Sequence, residues 1–175
     1  IVDSLTKQGI LSVVASGNAG DVTDVGGSPG NSRSSLTVAN SVGSQAVVDA
    51  TDVTAPSNLA GSYGSQLSAN FGWSGTVTGD VVVPATGVST TGCSAITGDV
   101  KGKWVYLHWT DDPTGESLPC GSAARFNNAA AAGATGVVLD SPSDVFSAGI
   151  AGNTLIPGVQ LTKSSAAKLQ AAAVA

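Results

Sequence analysis

The sequence predicts an α+β protein, mainly a β barrel or sandwich with two flanking helices, preceded by a helix-strand fragment of a parallel α/β sheet. Short β-type runs recur between turn signals from about residue 47 onward. Two alanine-rich stretches in the same region have helical composition. The first 46 residues differ, because a helical pattern there leads into a nearly continuous apolar run. We therefore divide the 175-residue chain into segments 1–46 and 47–175.

Segment 1–46 has the pattern of half a βαβ unit. Its first residues have apolar side chains four apart and are followed by glycine, which predicts a helix over Ile1–Gln8. Ile10–Ala15 is almost continuously apolar, which predicts a strand covered on both faces in a parallel sheet. A turn-rich loop then leads to Leu36–Val42, which predicts a further strand.

The rest of the chain predicts strands interrupted by two helices. The helices are expected at Ser122–Ala132, ended by Gly133, and at Ser164–Ala173, capped by Thr162 or Ser164. The predicted strands are Val47–Val53, Gly79–Val83, Lys103–Trp109, Gly136–Asp140 and Leu155–Leu161. The predicted loops are Ala55–Gly64 and Pro113–Gly121.

Composition and charge exclude several classes of function. The net charge of -5 and the sequence pI of about 4.4 leave no basic surface for nucleic acid. The seven cationic side chains are scattered, so no polybasic membrane anchor is expected, and no apolar run is long enough to cross a membrane. The chain has no initiating Met and no signal region, so we expect a fragment of a longer protein.

The two cysteines, Cys93 and Cys120, have neither metal-site spacing nor a CxxC redox motif. We predict a disulfide, which would indicate an oxidising compartment. In the chain-entropy model a loop of this size contributes about 3–4 kcal/mol to the free energy of unfolding. The alternative is two unrelated buried thiols.

A possible oxyanion donor follows the predicted strand Ile10–Ala15. Ser12–Gly20 reads SVVASGNAG, so Asn18 lies just past the carboxyl end of the strand, where open α/β sheets place their sites. Together with the loop Ser28–Asn31 and the strand LTVANSV, this stretch resembles the oxyanion-asparagine segment of subtilisin-like serine proteases. The resemblance implies that Asn18 donates its side-chain NH₂ to the developing oxyanion in the intact parent. The alternative is that Asn18 only closes an Asx-type turn.

The catalytic triad of these proteases is absent from the chain. The family has Asp in a D-[ST]-G context, His in HGTH and Ser in GTS, and none of these strings occurs. The family's chain order places this region after its Asp and His and before its Ser. The single histidine, His108, lies in the predicted strand Lys103–Trp109, so we interpret it as structural. We expect the parent to be a serine endopeptidase and this chain alone to be inactive, because Asn18 has no nucleophile to serve.

A second resemblance covers roughly Val53–Ala173 and depends on the order of several short pieces. These are APSNLAGSY with Ala69–Gly72, Gly92–Ser94 with Gly98–Lys103, Cys120 with Phe126 and Asn128–Ala134, and Gly136–Asp140 with Ile156–Leu161. In order and spacing they resemble the protease-associated (PA) domain, which is often inserted into subtilisin-like proteases. The family commonly has Arg-Gly just before its second cysteine, whereas here His108–Thr110 leads into the longer loop Asp111–Pro119. No binding role is therefore carried over to that loop.

Loop carboxylates offer a candidate metal site. Asp111, Asp112 and Glu116, or Asp140 with Asp144, could coordinate Ca²⁺ through their oxygens. Neither set has EF-hand spacing, and loop carboxylates are usually only solvated, so we predict no metal site and no cofactor.

Three tryptophans offer a candidate sugar-stacking surface: Trp73, Trp104 and Trp109. Trp104 and Trp109 are an odd number of residues apart, so on a regular strand they would face opposite sides of the sheet. A flat two-tryptophan platform is therefore not expected from that strand.

The two resemblances together imply a non-catalytic PA region of a secreted subtilisin-like serine endopeptidase that gates or recruits protein substrates at the active-site cleft. The expected partners are the rest of the peptidase domain and protein or peptide substrates. Exposed strand edges in segment 1–46 could also pair with a second copy in a dimer. The alternatives are a stand-alone extracellular peptide- or carbohydrate-binding module, and a chain that is itself an enzyme.

Overall fold

The computed structural model describes residues 1–17, 27–39, 47–84, 90–111, 119–146 and 148–173, and it describes residues 171–173 without their side chains. The chain divides into two compact units, Ile1–Gln45 and Ala46–Ala175, and each contains its own sheet. No helix in the described ranges is long and apolar enough to cross a membrane. The assignment of 1–46 to a peptidase stays a prediction.

The first unit contains one helix and two parallel strands. Helix α1 (Val2–Lys7) precedes strand β1 (Ser12–Ala15), which pairs in parallel with β2 (Ser35–Val38). The predicted helix and strands are therefore present but shorter than expected, and residues 40–42 of the second predicted strand lie outside the described residues.

The prediction that β1 is covered on both faces is wrong for this unit. Val13 on β1 is 58% exposed, and Leu36 and Val38 on β2 are 52% and 54% exposed. The physical reason is size, because a two-stranded sheet with one short helix cannot cover both of its faces.

Hydrogen bonds attach residues 27–34, the described part of the loop before β2, to strand β2 and to helix α1. The carbonyl of Gly30 accepts hydrogen bonds from Ser35 Oγ at 3.0 Å and from Thr37 Oγ1 at 2.6 Å. Ser32 Oγ donates to Asp3 Oδ1 on α1 at 2.8 Å. Residues 27–34 are consequently connected to both β2 and α1.

The second unit is a mixed α/β structure in which most elements are strands of one curled sheet. The sheet order is β3-β4-β8-β7-β6-β5; strands β5 to β8 are mutually parallel, and β3 and β4 run antiparallel to their neighbours. The strands are β3 (Asp49–Val53), β4 (Gly61–Leu67), β5 (Val81–Val82), β6 (Trp104–Leu107), β7 (Gly136–Leu139) and β8 (Gly158–Leu161). The prediction of mainly strands with two flanking helices is therefore confirmed for this unit, and its strands form one curled sheet of a mixed α/β structure.

The structure has a strand, β4, that begins within a predicted loop. Ala55–Gly64 was predicted to be a loop, but the strand begins at Gly61 and runs between β3 and β8. Glycine and serine have low strand propensity, which is why the local sequence does not indicate a strand. Pairing on both sides and burial of Tyr63 and Ser65 outweigh this local preference.

A helix covers each face of the sheet. Helix α2 (Ser122–Ala131) packs on the face formed by the side chains of Val105, Leu107, Val137 and Leu139. Helix α3 (Lys163–Ala173) lies on the opposite face, where Ala166 contacts a cluster that contains Tyr63, Trp104, Tyr106, Val138, Val159 and Leu161. Phe126 of α2 is fully buried, which stabilises the fold by about 1.5–3 kcal/mol relative to an exposed ring.

The helix ends follow the predicted signals. Gly133 has a φ of +83° just after α2, a conformation that glycine adopts without a Cβ clash. Thr162 is the cap of α3, because its Oγ1 accepts a hydrogen bond from the Ser165 N–H at 3.3 Å. The Ser164 N–H instead donates to Asp144 Oδ1 at 2.7 Å.

Two glycines allow aromatic rings to lie directly on the strands. A Cβ at Gly136 would lie 2.3 Å from the Trp104 ring, and a Cβ at Gly158 would lie 2.3 Å from the Phe126 ring. We therefore expect Gly136→Ala and Gly158→Ala each to lower the free energy of unfolding by about 1–3 kcal/mol, measured by urea denaturation.

Gly72→Ala is the matched control, because a Cβ at Gly72 has no neighbour within 4 Å. Its effect should stay within about 0.5 kcal/mol. Equal stability of all three variants would contradict the packing described here.

Candidate functional site

Polar side chains meet where parallel strands β6 and β7 end. His108 directly follows β6, and Asp140 directly follows β7. Adjacent parallel strands place their carboxyl ends at the same edge of a sheet, which is where open α/β sheets bind ligands. We call His108, Trp109, Asp111, Arg125 and Asp140 the carboxyl-edge cluster.

His108 and Asp140 form the central pair of this cluster. His108 Nδ1 lies 2.6 Å from Asp140 Oδ2, and Asp140 Oδ1 accepts the Trp109 N–H at 2.6 Å. Both side chains are partly buried, with 33% of His108 and 17% of Asp140 exposed. One carboxylate thus binds both a side chain and the main chain of the segment that follows β6.

The pKa of His108 is raised above its ordinary value. The largest cause is the hydrogen bond to Asp140, which favours the protonated imidazole. Burial acts in the opposite direction, and the negative charges of Asp140 and Asp111 add to the increase. The geometry therefore favours the protonated form of His108 more than water does.

Tyr106 lies beside this pair on β6. Its ring meets the His108 ring edge-on at 5.6 Å, and its hydroxyl accepts a hydrogen bond from Gln170 Nε2 at 3.1 Å. Burial and the charge of Asp140 raise the pKa of the phenol. Tyr106 is consequently neutral at physiological pH and adds no charge to the cluster.

Arg125 is a fully buried cation that binds main-chain carbonyl groups. Its Nη1 donates to the carbonyls of Thr91 at 2.6 Å and His108 at 2.7 Å. Its Nη2 donates to the carbonyls of Trp109 at 2.5 Å and Cys120 at 3.0 Å. The guanidinium also lies 4.8 Å from the centre of the Trp109 ring. Burial lowers the pKa of Arg125, while Asp140 and Asp111 oppose that change.

The predicted disulfide joins two of the segments that Arg125 binds. Cys93 is bonded to Cys120, 27 residues further along the chain. The His108 N–H donates to the Thr90 carbonyl at 2.8 Å, and Thr90 Oγ1 donates to Asp111 Oδ1 at 2.6 Å. The edge is therefore held by a covalent bond and a hydrogen-bond network.

A family model for the PA domain matches residues 77–169, which is more than half of the 175-residue chain. The chain belongs to the PA-domain family. PA domains are associated with proteases and, in general, with protein recognition. The matched residues include the whole carboxyl-edge cluster and lie within the range Val53–Ala173 expected from the sequence. No curated protein matches the chain at a significant level.

The other predicted site residues are distributed differently. Asn18, Asp112 and Glu116 lie outside the described residues. Asp140 accepts hydrogen bonds from His108 and Trp109, whereas Asp144 accepts one at the start of α3. Among the described residues, no group of three or more His, Cys, Asp or Glu side chains is placed to hold a metal ion.

The tryptophans of the PA domain face different sides of the sheet, as their spacing predicted. Trp104 and Trp73 pack with the cluster that contains Tyr63, and Trp109 packs against the cluster that contains Phe126.

His108 lies one residue beyond the end of β6 and not within the strand, because regular pairing with β7 ends at Leu107.

Sequence reasoning missed Arg125. The sequence feature that could have identified this buried side chain is helical spacing. The buried positions of α2 form one face of the helix: Ser122, Arg125, Phe126 and Ala129. A cation on the apolar face of a helix indicates a buried charge with specific acceptors. The sequence also contained an indication of the His108–Asp140 contact, since Asp140 ends one predicted strand and His108 is the next-to-last residue of another, on either side of the same predicted helix.

Arg125 is expected to contribute strongly to the stability of the PA domain. Arg125→Ala removes the donors of four carbonyl groups, so we expect the free energy of unfolding to fall by about 3 kcal/mol or more. Arg125→Lys should also destabilise the domain, because an ammonium cannot reproduce the planar fork of donors. Urea denaturation of both variants measures the effect.

Lys103→Ala is the control for loss of a cation. Lys103 Nζ lies 2.6 Å from Asp99 Oδ2, but the Asp99 side chain is 86% exposed, so the loss should stay within about 1 kcal/mol. A similar loss in Arg125→Ala and Lys103→Ala would contradict the anchoring role of Arg125.

The His108–Asp140 pair predicts a pH dependence of stability. Because the folded-state pKa of His108 is raised, its contribution is fully present below the unfolded value of about 6.5 and is lost as pH rises through the folded value. We expect the stability advantage of the wild type over His108→Gln to be larger at about pH 6 than at about pH 9. An advantage that stays constant or grows with pH, measured by urea denaturation, would contradict this assignment.

Proposed function

We propose that the chain is the non-catalytic PA region of a secreted subtilisin-like serine endopeptidase, and that the PA domain gates or recruits protein substrates at the active-site cleft. The parent reaction is peptide-bond hydrolysis. One observation carries the proposal: a PA domain at residues 77–169 is joined in one chain to a helix and two parallel strands, and the SGNAG sequence follows the first of these strands along the chain. Protein recognition is the general role of the domain family.

The first unit supports a peptidase parent through its strand arrangement. Beyond β1, the Ser16 N–H continues the pairing by donating to the Val38 carbonyl at 2.9 Å. Asn18 follows two residues later, after the carboxyl end of a parallel strand. This is the position at which the subtilisin-like motif would place its oxyanion donor.

Exposed apolar side chains support the same parent. Leu11 is 70% exposed, and Val13, Leu36 and Val38 are each more than half exposed. Parallel strands are stable when both faces are covered, so this unit has the surface of a sheet that continues into further strands and helices. The rest of the peptidase domain is the partner we propose for it, and a second copy in a dimer is the alternative partner.

The PA domain supports an extracellular location and raises a second candidate function. The Cys93–Cys120 disulfide favours an oxidising compartment. The His108–Asp140 contact has the geometry of the base and the orienting carboxylate in a serine hydrolase, which favours a catalytic role as the second candidate. Labelling of the purified chain by a fluorophosphonate probe tests that candidate, and we expect no labelling.

A stand-alone carbohydrate-binding module receives less support from the structure. Trp104 is buried to 7% exposure and faces away from Trp109, so these two rings do not form one stacking surface. This alternative also leaves the first unit without a role.

The deciding experiment replaces residues 53–173 of the parent with a short flexible linker and compares kcat/KM for two substrates. We expect kcat/KM to fall roughly tenfold for a large protein substrate, the effect of about 1.4 kcal/mol of lost recognition. It should stay nearly constant for a small chromogenic peptide. If both values fall together, the domain supports folding of the peptidase and the gating proposal is wrong.

The role proposed for Asn18 has its own test in the parent. Asn18→Ala should lower kcat by about 10²–10³-fold with little change in KM, a magnitude that comes from the subtilisin family itself. Asn58→Ala, at an exposed position of the second unit, is the control and should leave kcat unchanged. Equal kcat values for both variants would overturn the oxyanion assignment.

A further inference from the structure

The carboxyl-edge cluster connects four separate parts of the PA domain. Asp140 ends β7, His108 and Trp109 follow β6, and Arg125 belongs to α2. Thr90 belongs to the segment that continues to the disulfide at Cys93, and it contacts the cluster through His108 and Asp111. A change in any one contact therefore alters how these parts are held together.

One group in this cluster changes its charge near neutral pH. Histidine is the side-chain type that titrates between about pH 5 and pH 8, and His108 is the single histidine of the chain. The titratable and charged groups that face it are Asp140 after β7, Asp111 in its own segment, Tyr106 on β6 and Arg125 on α2.

The geometry links the charge of His108 to the main chain. Asp140 holds the imidazole with Oδ2 and the Trp109 N–H with Oδ1, both at 2.6 Å. Protonated His108 neutralises this carboxylate, which is only 17% exposed. When the imidazole is neutral, Asp140 loses the cation that it contacts directly and keeps only the more distant charge of Arg125. A partly buried carboxylate with less charge compensation favours entry of water.

We propose that His108 and Asp140 form a pH-sensitive switch: the contact between them binds the segment His108–Asp111 to the end of β7 more tightly when His108 is protonated than when it is neutral. The proposal is independent of the parent protease, because it concerns contacts within the PA domain. It predicts that the surface at the carboxyl edge is more ordered in mildly acidic than in alkaline solution.

The expected change is confined to His108, Asp140 and the Trp109 N–H, because the groups in the other contacts do not change protonation between about pH 5 and pH 8. The disulfide keeps Cys93 and Cys120 joined at every pH. Arg125 holds the carbonyls of His108 and Trp109 by a guanidinium that remains charged. The change is therefore expected at the Trp109 N–H and the His108 side chain, with the sheet intact.

The test uses the full 175-residue chain and two NMR measurements. The single imidazole Cε1–H resonance gives the pKa of His108 without ambiguity, and we expect a midpoint above the ordinary value of about 6.5. Hydrogen exchange of the Trp109 N–H, corrected for the intrinsic effect of pH, reports on its bond to Asp140. We expect its protection to be about fivefold lower at pH 9 than at pH 6, because the contact between His108 and Asp140 is weaker without the imidazolium charge and holds the carboxylate less firmly against the Trp109 N–H.

Two variants distinguish this switch from a general effect of pH. In Asp140→Asn the His108 midpoint should fall to about 6.5 or lower, and the Trp109 protection should become independent of pH. Asp144→Asn is the matched control, because Asp144 also follows β7 but contacts Ser164, and it should behave as the wild type. If Asp140→Asn does not fold, the wild-type data decide: a midpoint at or below 6.5, or Trp109 protection that is equal at both pH values, overturns the proposal.

Discussion

The buried guanidinium of Arg125 is the contact on which the carboxyl edge of the PA domain depends. A buried cation is costly unless hydrogen bonds compensate it, and here four main-chain carbonyls accept from Nη1 and Nη2, while Nε has no hydrogen-bond partner among the described residues. Those carbonyls come from segments at the ends of strands and beside the disulfide, where regular sheet pairing has stopped. Arg125 therefore supplies donors that no strand provides, and it sets the position of both cysteine-bearing segments and of His108.

The parallel arrangement of β6 and β7 explains why the polar residues meet at this edge. The α2 crossover connects the two strands, so both end on the same side of the sheet. His108 and Asp140 are 32 residues apart in the chain but form a contact of 2.6 Å. The polar groups therefore lie outside the carboxyl ends of the strands, which is where open α/β sheets bind ligands.

The fold also shows where local sequence signals are insufficient. Strand β4 has glycine and serine at most of its positions, yet it lies between β3 and β8. Its glycine at position 64 approaches Val48 and Thr162 closely, since a Cβ there would lie 3.3 Å from a Val48 methyl group. Residues that appear to indicate a loop are in this case the small residues that a crowded strand requires.

The sequence by itself determined the features that depend on near neighbours in the chain. The alanine run and Gly133 fixed helix α2, the short apolar runs located most strands, and the ordered motifs identified the PA domain; the predicted pairing of the two cysteines is also present in the structure. Only the tertiary structure decided the strand order, the inclusion of β4, the burial of Arg125 and the contact between His108 and Asp140. The physical reason is range: helical periodicity and turn chemistry act over a few residues, whereas sheet pairing and the burial of a charge depend on groups dozens of residues apart.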